Sequence, residues 1–171
     1  IMVFQVTTPL MYRLSRDNHK KYARVHRIMW RYLSAFGVPA GIGILLLASP
    51  ILTTVYGNRY FAHDPSLLAQ AVTIMQLFGL FLSIRFIGIS HGNALTTSDR
   101  QPLRAKIQAV AVACNVLFDI ILIWFYGPIG AAISTLCIET ITTLLIIVIT
   151  SRNLNEPLLH ITQGLLPIFA A

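Results

Sequence analysis

Three ionisable side chains interrupt the long apolar runs of this 171-residue sequence, and they are the residues best placed to do chemistry: Arg85, Asp119 and Glu139. A charge at the centre of a bilayer costs about 2.5–3.5 kcal/mol on insertion scales. Each is therefore expected to face a cavity, a charged partner or a substrate. The sequence shows no metal-ligand spacing, no Ser/His/Asp set and no glycine-rich phosphate loop, so it predicts no enzyme, no metal site and no cofactor.

The two carboxylates lie at comparable distances from the Gly-Pro turn at 127–128. At a helical rise of about 1.5 Å per residue, Asp119 lies about 12 Å and Glu139 about 16 Å from that turn. If they face each other, one retains a proton, because two close anions do not both ionise in a low dielectric. Asp119 and Glu139 are therefore candidates for binding a coupling proton or sodium ion.

Further polar residues follow the carboxylates at helical spacing. One stripe would contain Gln108, Asn115 and Asp119, and the next helix would carry Thr135, Glu139, Thr142 and Thr143. Facing stripes of this kind suit either a wet cavity or an interhelical hydrogen-bond seam that binds no ion. Both interpretations remain open.

Arg85 also allows two interpretations. It lies about 25 Å from the predicted outer end of its helix, so its side chain can extend to the inner interface. Alternatively, it lines a central cavity and pairs with a phosphate. On the second interpretation, Arg85 and Asn115 are candidates for binding substrate.

The elements that position these residues follow from composition. Hydrophobic residues make up 56% and charged residues 11% of the chain, and the mean hydropathy is +0.70. A soluble domain carries about 25% charged residues, so a soluble protein and a disordered chain are both excluded. The sequence predicts an all-α integral membrane protein, an antiparallel bundle of transmembrane helices in the cell membrane.

Four apolar runs are long enough to span a bilayer of about 30 Å. They cover residues 32–56, 68–95, 106–126 and 129–150. Residues 1–12 are expected to end an earlier helix and residues 158–171 to begin a later one. The chain is therefore expected to be a single membrane domain that forms part of a longer protein. Two GxxxG motifs, at 37–41 and 88–92, predict close helix contacts.

The basic residues predict the orientation. The net charge is +7, and 11 of the 13 lysines and arginines lie in or beside the segments 13–31, 96–105 and 151–157. The positive-inside rule places these segments in the cytoplasm. Because the basic residues flank apolar runs, anionic lipid headgroups are a simpler partner than nucleic acid. In 13–31 they recur every three or four residues, which predicts a basic helix face for lipid phosphates or an anionic substrate.

Three stretches resemble a known family when taken together. They are PLMYRLSR at 9–16, VPAGIGILLLASPILTTVYGNRY at 38–60 and NVLFDIILIWFYGPIGAAISTLCIE at 115–139. NALTTSDRQ at 93–101 fits the same pattern, and the YGPIGAA turn at 126–132 is the most specific piece. In this order they resemble the oligosaccharide flippases of polysaccharide biosynthesis, in the superfamily of multidrug, oligosaccharidyl-lipid and polysaccharide exporters.

The resemblance implies a two-lobed transporter of about fourteen helices, with this chain in the second lobe. It implies translocation of a polyprenyl-pyrophosphate-linked oligosaccharide between leaflets, through rocking of the lobes and alternating access. Two alternatives remain. One is a cation-coupled antiporter of the multidrug and toxin extruder type, whose cavity would be acidic rather than basic. The other is a membrane glycan polymerase or a structural subunit.

Overall fold

A computed structural model describes residues 2–17, 19–57, 65–98 and 100–154, with side chains for 8–17, 20–57, 66–98 and 100–152. The described residues form helices α1 (Met2–Asp17), α2 (His19–Tyr56), α3 (Pro65–Thr97), α4 (Gln101–Tyr126) and α5 (Pro128–Leu154). The predicted all-α fold is confirmed. The helix expected over 158–171 lies outside the described residues.

Four of these helices are long and apolar enough to cross a membrane. The segments are Lys20–Tyr56, Ser66–Thr97, Gln101–Tyr126 and Pro128–Arg152, and the apolar 18-residue stretch within each has a mean hydropathy between 1.9 and 2.2. Each of the four predicted apolar runs falls within one of them. α2 begins at His19 rather than near residue 32, because the basic residues between 20 and 31 have helical spacing and lengthen the helix. Much of the predicted segment 13–31 is therefore helical.

Glycine allows α2 and α3 to pack backbone to backbone. A Cβ atom at Gly41 would collide with the Ser83 side chain and the Gly79 carbonyl oxygen. A Cβ at Gly79 would lie only 2.7 Å from the carbonyl oxygen of Gly41. The first GxxxG motif thus lies at a close helix contact, as predicted. The second GxxxG motif lies at a contact with α5 instead, since a Cβ at Gly88 would lie 2.8 Å from the Thr143 hydroxyl on α5.

A tight turn joins α4 to α5. Gly127 has a φ of 59°, a left-handed conformation that favours glycine, and its N–H donates to the carbonyl of Ile123 over 2.9 Å. Three residues later, Gly130 packs against the backbone of Leu122, where any Cβ would collide. The YGPIGAA sequence therefore holds the last turn of α4 against the first turn of α5, so that the two helices form a hairpin.

α5 lies behind both α3 and α4. Each of those two helices packs extensively on α5, but they contact each other only slightly. The arrangement leaves a groove between α3 and α4 with α5 as its floor. α4 buries none of its residues, and Trp124 near its end is 85% exposed. Such exposure of apolar side chains is expected of a helix surrounded by hydrocarbon.

Hydrogen bonds fasten the α1–α2 region to the end of α3. The Tyr22 hydroxyl lies 2.8 Å from both the Ala94 carbonyl and the Thr97 hydroxyl. The Ser15 hydroxyl donates to the Thr97 carbonyl, also over 2.8 Å. The Thr97 carbonyl ends α3, where carbonyls lack partners within the helix, whereas the Ala94 carbonyl also accepts from the Ser98 N–H over 3.1 Å. The contacts fix α1 and α2 at that end of the bundle.

We predict that Gly41→Ala destabilises the protein while Gly43→Ala does not. A Cβ at Gly41 meets backbone that cannot move aside, which should lower the free energy of unfolding by about 1–3 kcal/mol. Gly43 has nothing within 4 Å of an added Cβ, and alanine favours the helix there by up to about 1 kcal/mol. Thermal unfolding of the two variants in the same detergent compares them. Equal midpoints would contradict the close α2–α3 contact.

Candidate functional site

The groove between α3 and α4 contains a cleft of about 290 Å³. Its walls mix apolar and polar side chains, contributed by α3, α4 and α5. The polar lining residues are Arg85, Gln108, Asn115, Thr135, Glu139 and Thr142. Both predicted polar stripes therefore contribute to one cleft, and of their members Asp119 and Thr143 do not line it.

An ion pair crosses the cleft from α3 to α5. Arg85 Nη1 donates to Glu139 Oε1 over 2.8 Å and to Oε2 over 3.1 Å. The Arg85 side chain is 46% exposed and that of Glu139 is 13% exposed. Arg85 thus points into the cleft instead of extending along α3 to the inner interface. The pairing neutralises two charges that would each be costly in hydrocarbon.

Asp119 lies in a separate polar cluster. Its carboxylate accepts a hydrogen bond from Asn115 Nδ2 over 3.1 Å and another from the buried hydroxyl of Ser134. Asp119 and Glu139 therefore do not face each other, and the carboxylate pair that the sequence left as one possibility does not form. The hairpin register explains the difference. Asp119 is level with Ser134, and Glu139 lies five residues further along α5, about 7 Å away along the axis.

Asn115 connects the two clusters. Its amide nitrogen is bonded to Asp119, while its side chain lines the cleft that Glu139 and Arg85 share. The Asn115 Oδ1 atom is buried and has no hydrogen-bond partner within the described residues. Buried acceptors are nearly always satisfied in native proteins. This oxygen is therefore available to a cation, to water or to a donor on a substrate.

Two polar residues that form hydrogen bonds beside the cleft were not predicted as part of the site. Ser134, which bonds Asp119, belongs to neither predicted stripe. Arg104 was treated as one of the basic residues beside a loop, yet its half-buried guanidinium bonds the Thr96 hydroxyl and packs against Gly92. In the sequence Arg104 precedes Gln108, which lines the cleft, by four residues. That spacing places the two side chains on the same face of a helix, and it could have indicated that Arg104 lies near the cleft.

Comparisons with known proteins give partial matches. The chain is 28% identical over 139 residues to a probable lipid II flippase MurJ of Vibrio cholerae, covering 79% of this chain and 26% of that protein. It is 24% identical over 135 residues to the lipid II flippase MurJ of Thermosipho africanus, covering 79% and 28%. A probable low-salt glycan biosynthesis flippase, Agl15 of Haloferax volcanii, is 25% identical over 108 residues, covering 63% and 21%.

The chain thus spans about a quarter of the length of the curated relatives it matches. No protein-family model and no solved structure matches it. The relatives carry the same kind of activity in their names, which is the kind that the sequence motifs indicated. The resemblance is confirmed: this chain is similar to flippases of the superfamily of multidrug, oligosaccharidyl-lipid and polysaccharide exporters.

Proposed function

We propose that the protein translocates a polyprenyl-pyrophosphate-linked oligosaccharide across the cell membrane during the synthesis of a cell-surface polysaccharide. The observation that carries the proposal is the cleft, in which Arg85, paired with Glu139, stands among amide and hydroxyl side chains between membrane-spanning helices. An arginine offers several donors to phosphate oxygens, and amide and hydroxyl groups suit a sugar. The similarity to lipid II and glycan flippases supports the same class of cargo.

Arg85 would bind the pyrophosphate by exchanging partners. In the structure its guanidinium is neutralised by Glu139, so the cleft holds no uncompensated cation at that point. An arriving phosphate competes with the carboxylate for the same N–H groups. Glu139 then loses its counter-charge. Such an exchange would link cargo binding to the contact between α3 and α5.

The competing antiporter function would need the opposite electrostatics. An organic cation requires an acidic cavity, yet the carboxylate that lines this cleft is already paired with Arg85. Arg85 is also the more exposed partner, 46% against 13% for Glu139, so the accessible charge in the cleft is positive and suits an anionic cargo better. Transport rather than catalysis also agrees with the names of the three relatives described above, each of which is called a flippase.

We predict that Arg85→Gln lowers translocation by about tenfold to a hundredfold. The substitution removes a charge-assisted hydrogen bond to phosphate, of about 1.5–3 kcal/mol. The measurement uses proteoliposomes of the full-length protein with fluorescent lipid-linked oligosaccharide or lipid II as separate cargos. Arg100→Gln, at an exposed arginine outside the cleft, is the matched control and should transport normally.

Two outcomes bear on this proposal differently. If the parent protein moves neither cargo under any ion gradient, the proposed function is wrong. If the parent is active and an equally abundant Arg85→Gln variant keeps the parental rate, then Arg85 does not bind the cargo.

We also propose that Asp119 and Glu139 are the sites of ion coupling. Asp119, the free Asn115 Oδ1 and the Ser134 hydroxyl bring several oxygen atoms together, which suits a sodium ion or a proton. Glu139, bonded to Arg85, is instead suited to exchanging a proton when that pair opens. The alternative remains a hydrogen-bond seam that binds no ion.

We predict that Asp119→Asn abolishes the dependence of transport on a sodium or proton gradient. Asparagine keeps the shape of the side chain but removes the charge that would attract the ion. Rates are measured against sodium concentration at fixed pH and against pH at fixed sodium, with Glu139→Gln in parallel. Gradient dependence that is unchanged in both variants would leave the carboxylates a packing role alone.

We further propose that the basic segments 13–31, 96–105 and 151–157 face the cytoplasm, where lysines and arginines contact anionic headgroups. In the structure Lys20, Arg24 and Arg31 are exposed on the first turns of α2. Long basic side chains at the end of a spanning helix can reach lipid phosphates. The α4–α5 turn carries no basic residue and would lie on the opposite side.

We predict that a membrane-impermeant maleimide labels Tyr126→Cys in intact cells but leaves Lys20→Cys unlabelled. Both positions are exposed, so accessibility depends on the side of the membrane. The substitutions are made in a background without cysteine, with Cys114 and Cys137 replaced by alanine. Permeabilised cells, in which both positions should react, are the control. Labelling of Lys20→Cys in intact cells would invert the orientation.

A further inference from the structure

A second polar cluster lies apart from the cleft, between α2 and α3. It contains His26, Trp30 and Ser34 from α2, with Ser90 and His91 from α3. None of these five residues is more than 7% exposed. Trp30 and His26 each contact His91, with ring centroids 6.3 Å and 5.0 Å away. The mechanism proposed for the cleft uses none of them.

Four polar atoms of this cluster have no hydrogen-bond partner in the described part of the chain. They are His26 Nε2, Trp30 Nε1, Ser34 Oγ and Ser90 Oγ. The antiparallel register brings the serines to neighbouring levels, because Trp30 contacts His91 and Gly37 packs against Phe86. Buried polar atoms rarely remain unsatisfied. So many in one place indicate a small site that accommodates water or an ion.

The histidines fix what the site can bind. The His91 Nδ1 atom lies 3.0 Å from the Ile87 carbonyl, which can only accept, so Nδ1 carries the proton and Nε2 is the basic atom. The His26 ring meets the His91 ring edge to face, at 81°. A proton on either imidazole therefore lies close to the other ring. Two protons would place like charges in contact, so the pair is suited to one.

The groups around the pair supply no negative charge. On α2, Arg27 adds a positive charge beside His26, and Tyr22 one turn earlier is bonded to the end of α3. α5 contributes the Thr150 hydroxyl, which donates to the His91 carbonyl over 3.3 Å, and α1 contributes Met11 to the adjacent core. Within the described residues, no acidic side chain bonds either histidine. A proton added to this packing would therefore remain without a counter-charge.

We propose that His26 and His91 form a proton-binding site distinct from the cleft, and that a proton there loosens the contact between α2 and α3. An uncompensated imidazolium in a buried site is costly, and the cost falls when water enters. Water can enter where α2 separates from α3, between the Tyr22 hydrogen bonds and the close contact at Gly37. The site thereby connects pH with the packing of one end of the bundle.

Trp30 provides a direct test, because a protonated imidazole quenches an indole that it touches. The emission of the full-length protein in detergent, minus that of a Trp30→Phe variant, isolates Trp30 between about pH 8 and pH 3. We expect this difference signal to fall on acidification. His91→Gln and His26→Gln should each weaken the response, and the double variant should lose it. Trp124→Phe, at a tryptophan that is 85% exposed, is the control and should leave it unchanged.

Hydrogen–deuterium exchange tests the loosening itself. After correction for intrinsic rates, amides in residues 22–34 should exchange faster at low pH in the parent and not in the double histidine variant. A Trp30 signal that is independent of pH in the parent overturns the proton site without requiring any histidine variant to fold. If the Trp30 emission changes with pH while the amide exchange rates stay the same, then protonation does not loosen the contact between α2 and α3. Both results are independent of transport, so the flippase proposal stands or falls separately.

Discussion

The cost of charge in hydrocarbon is the constraint on which the rest of this structure depends. Arg85 and Glu139 lie on spanning helices, and each is tolerable because it neutralises the other across 2.8 Å. The pair requires α3 to face α5 and requires the space between them to admit long polar side chains. α4 stands aside from α3, and the resulting cleft is lined by six polar residues of α3, α4 and α5. The Arg85–Glu139 ion pair and the cleft therefore depend on the same packing of α3, α4 and α5.

Small residues make this arrangement geometrically possible. Between apolar helices in lipid, association relies on close packing rather than on a hydrophobic driving force. Gly41 and Gly79 bring α2 and α3 into backbone contact, and Gly88 brings α3 against Thr143 of α5. α3 therefore packs closely on both sides, which fixes the direction in which Arg85 points. The polar cleft rests on an apolar framework in which the position of each glycine matters.

Much of this organisation was predictable from the sequence, because hydropathy and helical periodicity depend on nearby residues only. The helical class, the four apolar spans and the two polar stripes all follow from such patterns, and the motifs around the YGPIGAA turn indicated the flippase-like family. Side-chain pairings between different helices were harder to predict from the sequence. Asp119 and Glu139 were estimated to lie at similar depths, yet Asp119 bonds Ser134, because the hairpin register depends on how tightly Gly130 packs against Leu122. The partner of Arg85 likewise depends on the contact of α3 with α5, which no local pattern encodes.

The tight turn at Gly127 has a mechanical consequence. The turn clamps α4 to α5 at one end, and at the other end the hydrogen bond from Arg104 to Thr96 holds α4 to α3. A tilt of α4 about the turn therefore requires that hydrogen bond to break. Arg104 lies about 33 Å from the turn, so a tilt of about 5° would displace it by about 3 Å. The same tilt would scarcely move Asp119, which is close to the turn. A small tilt of α4 would widen the end of the cleft that lies farthest from the turn and would leave the Asp119 carboxylate almost in place.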